Sequence, residues 1–274
     1  MLRAALAAAM LLLPAFAWTQ NAAPPPPRTY ALVSAVGSTF MLVRQKKQVG
    51  TLMDPYQRLE RDIPGVALDA AVLRGLERIV REDDPSAEFV YMKLNPAELG
   101  GAYRYERGDL ALGKLATALE KMPQRDTWHR ILVVTPRYMN SAREGLGEKL
   151  HGIGVFVQPS EKLPSNNEDF TRRKDATRSL DGTPGESDRY VAPYFYAQVS
   201  VIDPRTLRIL ETSERWDFQK LFDPKSTSGD VEDAFPPEVL AAQLERFVEL
   251  STAEALREAW GSVTVSEPRI VRPR

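Results

Sequence analysis

Apolar residues recur at helical spacing in three stretches of the chain and cluster in short strand-like runs between them. Over residues 66–83, VALDAAVLRGLERIVRED, one helical face collects Leu68, Val72, Leu76, Ile79 and Val80. The other carries Arg74, Glu77, Arg78 and Arg81, with Glu77 four residues before Arg81 at ion-pair spacing. Asp83-Asp84-Pro85 should end this helix, because proline disfavours helical backbone before it. Leu112, Leu115, Leu119 and Met122 line a second helix that Asp109 is placed to cap and Pro123 to stop. Pro236-Pro237 opens a third, running at least over residues 238–258 and burying Leu240, Leu244, Phe247 and Val248.

Strand-like runs cover residues 30–36, 39–45, 88–94, 127–135, 150–158, 191–203 and 207–216. The most apolar, TWHRILVVT at 127–135, is the expected central strand. Only Gly37-Ser38 separates the first two runs, and glycine followed by any residue is a two-residue hairpin turn. That hairpin would set Ala35 opposite Phe40 and Val33 opposite Leu42. Asp203-Pro204-Arg205-Thr206 joins the last two runs and has type I turn chemistry. The order predicts one α/β or α+β domain over residues 30–261: a mixed sheet, an N-terminal and a C-terminal β-hairpin, and about three packed helices. Residues 159–189 are polar and rich in turn formers. A loop of that length is functional or disordered.

The first residues change the picture. MLRAALAAAMLLLPAFAWTQ has a basic start, an apolar stretch too short to span a bilayer, an internal Pro14, and Ala15-Phe16-Ala17 in the small-x-small form that signal peptidase reads. Residues 1–17 therefore read as a cleaved signal peptide, with an uncleaved anchor as the lesser alternative. Residues 18–29 form a spacer stiffened by the four prolines at 24–27, and 262–274 a C-terminal tail. The expected location is periplasmic or secreted, with no transmembrane segment after cleavage. The chain has no cysteine, so thiol catalysis and Cys-ligated metals are excluded and stability must come from a core. Its formal net charge of −1 leaves no footprint for nucleic acid.

Candidate chemistry is sparse. The Ser34…Ser38-Thr39 cluster lacks the helix that a phosphate cradle needs and the Gly-x-Ser-x-Gly of a nucleophile elbow, so it reads as structural. His129 alternates with Ile131 and Val133 and reads as a satisfied or half-exposed structural histidine, a general base or metal ligand being the alternative. His151 carries the same two readings. Gly145, Gly147, Gly152 and Gly154 miss the spacing of a dinucleotide loop and read as turn or bulge glycines. Glu82-Asp83-Asp84 reads as a solvated helix end rather than an acid/base pair. Arg172, Arg173 and Lys174, in the polar loop, are the candidate partner contact, with a balanced solubilising run as the alternative. Tyr190, Tyr194, Tyr196 and Trp216 suit either a recognition surface or ordinary strand packing.

Residues 199–218, VSVIDPRTLRILETSERWDF, resemble a fragment of a family of envelope proteins that includes the curli-secretion lipoprotein, the outer-membrane activators of penicillin-binding proteins and the N-terminal domain of the Tol propeller protein. Asp203, Thr206, Ile209 and Leu210 match that fragment, while Leu207 stands where the family has glycine and the family's lipobox cysteine is absent. The resemblance implies an accessory role without chemistry of its own. The expectation is thus an exported, non-catalytic protein binding another envelope protein or polymer, with no catalytic residue, metal or cofactor. Two alternatives stay open: a hydrolase of a cell-wall or lipid substrate using His129 or His151 as base, and a small-molecule binder whose pocket is lined by residues 145–154.

Overall fold

The computed structural model describes residues 26–37, 39–45, 56–62, 68–94, 99, 106–137, 150, 152–158, 175–223 and 235–261. The expected signal segment and tail, Ser38, Gly145, Gly147, His151 and the Arg172-Arg173-Lys174 cluster lie outside the described residues.

The described residues form an α/β domain with a mixed eight-stranded sheet, a separate two-stranded sheet and three α-helices. The strands are β1 (Thr29–Ser34), β2 (Thr39–Gln45), β3 (Tyr56–Asp62), β4 (Glu88–Lys93), β5 (Arg130–Pro136), β6 (Ile153–Gln158), β7 (Asp175–Arg178), β8 (Pro184–Ser187), β9 (Tyr190–Ile202) and β10 (Ile209–Phe218). The helices are α1 (Leu68–Asp83), α2 (Arg107–Glu120) and α3 (Pro237–Gly261), with a short 3₁₀ turn at Pro123–Thr127.

The thirteen-residue β9 organises the sheet. On one edge it pairs antiparallel with β10. On the other it pairs with β5 over its C-terminal half and with β6 over its N-terminal half, so those two strands lie end to end. β1 runs parallel to β5, and β2 runs parallel to β6, again end to end. The outer row is β4, parallel to β1, and β3, antiparallel to β2. Strand order is β3-β2-β6-β9-β5-β1-β4, with β10 on the far side of β9.

This corrects the hairpin expected at Gly37-Ser38. The chain does not turn back there; β1 and β2 continue in one direction as two halves of a broken row. The N-terminal hairpin is instead β2–β3, pairing Thr39 with Asp62 and Gln45 with Tyr56. Gly37 does have the left-handed backbone expected of it, at φ 81°. The Ser34 hydroxyl and the Gly37 N–H both donate to Asp69 Oδ1, at 2.5 and 3.2 Å, which ties the break to the first turn of α1. β1 takes long-range partners on both edges, and these outweigh a local turn.

Side chains alternate across the sheet as a strand period of two requires. Tyr30, Leu32, Leu132, Val134, Phe195, Val199 and Val201 meet Leu68, Val72, Leu76 and Val80 of α1 and Leu244, Val248 and Leu256 of α3. On the opposite face Ala31, Val33, Ile131 and Val133 meet Leu115 and Leu119 of α2 and Trp128. The domain is therefore three-layered, with α1 and α3 packed together on one side. The α2 cap differs from expectation: Glu106 holds the N-cap position and Asp109 lies within the first turn, where its charge still complements the helix dipole. The C-terminal hairpin β9–β10 forms as expected. Asp203 Oδ1 accepts the N–H groups of Arg205 and Thr206 at 3.0 and 2.8 Å and the Thr206 hydroxyl at 2.9 Å. Leu207 takes φ 55°, a conformation that favours glycine, at the position where the resembling fragment carries glycine.

The polar stretch at 159–189 is not wholly loop. β7 and β8 pair antiparallel, and Arg178 N–H donates to Lys220 O at 2.9 Å while Phe222 N–H donates back to Arg178 O at 3.0 Å.

Candidate functional site

Where parallel strands begin, side chains from distant segments are brought abreast. Tyr30 of β1 registers with Arg130 of β5, and His129 N–H donates to Thr29 O at 2.7 Å. Arg28, Tyr30 and Arg130 sit at the starts of those strands. Alternation places them with Leu32 and Leu132, toward the helices. Above them α1 ends in Asp83, followed by Asp84, and α3 ends beside Ala259 and Trp260. Val201 of β9 and Leu210 and Glu211 of β10 complete the wall. Together these residues line a cleft of about 380 Å³, within the usual span for small-ligand sites, about 300–1,000 Å³.

The cleft has an aromatic floor. The Tyr30 ring lies 6.0 Å from that of Trp260 and meets the His129 imidazole edge-on at 5.2 Å. Burial pushes the Tyr30 hydroxyl above its usual pKa, even though the Arg28 guanidinium bonds to it. Burial pushes His129 down, and the positive charges of Arg130 and Arg28 push the same way against Asp84, so the imidazole is neutral at pH 7. Arg130 donates to the His129 carbonyl at 2.7 Å. Asp84 accepts from the Ser86 hydroxyl at 2.8 Å. Among the described residues, no ion pair joins Arg28 or Arg130 to Asp83, Asp84 or Glu211. At the rim Leu210 is 45% exposed.

This geometry separates the sequence readings of His129. The residue is half-buried, as its structural reading allowed, and it borders a cleft with three carboxylates. Yet among the described residues its imidazole has no hydrogen-bond partner, and its close neighbour is the Tyr30 ring. The Glu82-Asp83-Asp84 run divides in two. Glu82 pairs with Arg257 of α3 at 2.8 Å, while Asp83 and Asp84 face the cleft. Ser34 is structural, as read: it is fully buried and held by Asp69 at the other end of β1. Burial raises the Asp69 carboxyl pKa above its usual range despite the two donors on it.

Two open alternatives are decided. Of the two readings of the tyrosines, strand packing holds: Tyr190, Tyr194 and Tyr196 are 3, 0 and 7% exposed. Tyr196 packs edge-on against Trp216 at 5.2 Å. Gly154 does not line a pocket. A Cβ there would stand 2.0 Å from Met41 O and 2.6 Å from the Tyr194 hydroxyl, so the strand needs glycine to let β2 and the tyrosine approach. Among the described residues no cluster of three His, Asp or Glu could hold a metal ion, and no helix is long and apolar enough to cross a membrane.

Sequence reasoning missed Arg28, Arg130, Glu211 and Trp260. Each is unremarkable in its own segment, and only the parallel register and the two helix ends unite them. One signal was present: acidic residues at the C-terminal end of α1, where the helix dipole favours cations.

No family model matches the chain, and no curated protein matches its sequence. Several solved structures are similar at low level, two of them as follows. One is described as a neuraminyllactose-binding hemagglutinin homolog from Helicobacter pylori, with TM-score 0.35, 6% identity, and 86% of this chain and 84% of that chain covered. The other is protein XCC0632 from Xanthomonas campestris, of family model DUF330, with TM-score 0.29, 9% identity, and 86% and 85% covered. At such scores the function has to be read from the cleft itself.

Proposed function

We propose that this chain is an exported binding protein of the cell envelope and that it holds part of another envelope component in the cleft between the ends of α1 and α3. One observation carries the reading: apolar walls from Tyr30, Val201, Leu210 and Trp260 converge with charges of both signs in a single concavity. The signal segment, the proline spacer and the resemblance of residues 199–218 to envelope accessory proteins support the location. The His129 environment favours binding over hydrolysis, since no carboxylate or hydroxyl among the described residues hydrogen-bonds its imidazole to orient it as a base. Arg172, Arg173 and Lys174 are retained as a second contact.

The test is capture from envelope extract by the tagged, exported protein, with mass spectrometry of what is held. Trp260→Ala should reduce capture of the specific component by about tenfold, as loss of an aromatic anchor does. The triple alanine variant at 172–174 should reduce it further. Undiminished capture by Trp260→Ala rejects the cleft, and undiminished capture by the triple variant rejects the basic cluster. The exported form should begin at Trp18, and an intact N-terminus would reject cleavage.

A further inference from the structure

We infer that the cleft is built for a dipolar ion, a ligand with an ammonium group at one end and a phosphate or carboxylate at the other. The inference rests on reading the cleft as the binding site and names the chemistry it takes. Its first ground is the unpaired charges. Arg28 is engaged with the Tyr30 hydroxyl and Arg130 with a backbone carbonyl. Asp83, Asp84 and Glu211 border the same hollow, and among the described residues none of them is ion-paired to either arginine. Two cations and three carboxylates thus line one partly apolar cavity without pairing with each other. A ligand of one sign would satisfy one set and leave the other facing it; a dipolar ligand satisfies both.

The second ground is the make-up of the lining. Asp83 closes α1, Asp84 follows it, and Ala259 and Trp260 lie in the last turn of α3, so the negative ends of two helices border the cavity. Acidic side chains at a helix C-terminus are locally unfavourable, and rules are broken in this way where function requires it. Trp260 lines the same cavity, and an aromatic face attracts an ammonium group. Arg28 and Arg130 line it as well, and guanidinium forks suit phosphate and carboxylate oxygens. Neutral His129 adds no charge.

Isothermal titration of the purified protein tests this with four probes: phosphocholine and glycine betaine as the two kinds of dipolar ion, and choline and inorganic phosphate as their halves. At least one dipolar ion should bind about tenfold or more tighter than either half, and the stronger of the two identifies the anionic group. Asp84→Asn and Arg130→Gln should each weaken that binding by about tenfold, one through each end. Equal binding by a half-ion, binding untouched by both variants, or no binding by either dipolar ion overturns the inference. The last result combined with Trp260-dependent capture of an envelope component removes only the ligand class. Capture that ignores Trp260 removes the cleft itself.

Discussion

Asp69 shows how one side chain settles the local architecture. Its carboxylate holds the Ser34 hydroxyl and the Gly37 N–H and so fixes the break between β1 and β2. Burial nevertheless raises its pKa, so the native state binds a proton more tightly there than the unfolded chain does. Stability from this group is therefore greatest in acid and falls as pH rises from about 4, the ordinary aspartate value, through the raised one. Asp69→Asn keeps an acceptor for both donors and cannot ionise. The variant should gain stability relative to the native protein between pH 4 and pH 7 in denaturant titrations. A difference constant across that range contradicts the assignment. At the cleft the same scale of argument makes His129 a neutral wall residue, because burial and two arginines oppose its protonation.

At the scale of elements, helices were legible because their signal is local. The stripe Leu68, Val72, Leu76, Ile79 and Val80 is wholly buried, and Pro237 opens α3 as its position suggested. The turn at Asp203 was legible for the same reason. Strand partners were not. Gly37 suited a hairpin, but pairing is decided by what lies across the sheet, and the partners of β1 are far along the chain: Thr29 registers with Glu88 and Tyr30 with Arg130. β3 escaped notice because YQRLERD carries charges on an edge strand instead of an apolar alternation. β6 offers a direct check. Gly154→Ala places a methyl group against Met41 O and the Tyr194 hydroxyl, both in the buried interior. The variant should lose about 3 kcal/mol, the upper part of the usual overpacking cost. Adding Tyr194→Phe should not restore it, since the backbone clash persists. A variant with the native unfolding midpoint contradicts the close approach of β2 and β6.

For the whole molecule, three layers bring the starts of β1 and β5, the ends of α1 and α3 and the start of β10 to one place. None of this was readable from spacing, because the cleft residues come from six separated segments: Arg28 and Tyr30, Asp83 and Asp84, His129 and Arg130, Val201, Leu210 and Glu211, and Ala259 and Trp260. What the sequence did contain was an acidic helix end, and that run borders the cleft. The most direct measurement is site-specific photocrosslinking in cells that export the protein. One reactive residue replaces Leu210 at the cleft rim and another replaces Leu180, which is similarly exposed at 41% against 45% but lies beside the earlier half of α3. A discrete adduct from position 210 that disappears with Trp260→Ala, and none from 180, is the predicted result. Equal adducts from both positions, or an adduct from 180 alone, would contradict the cleft as the binding site.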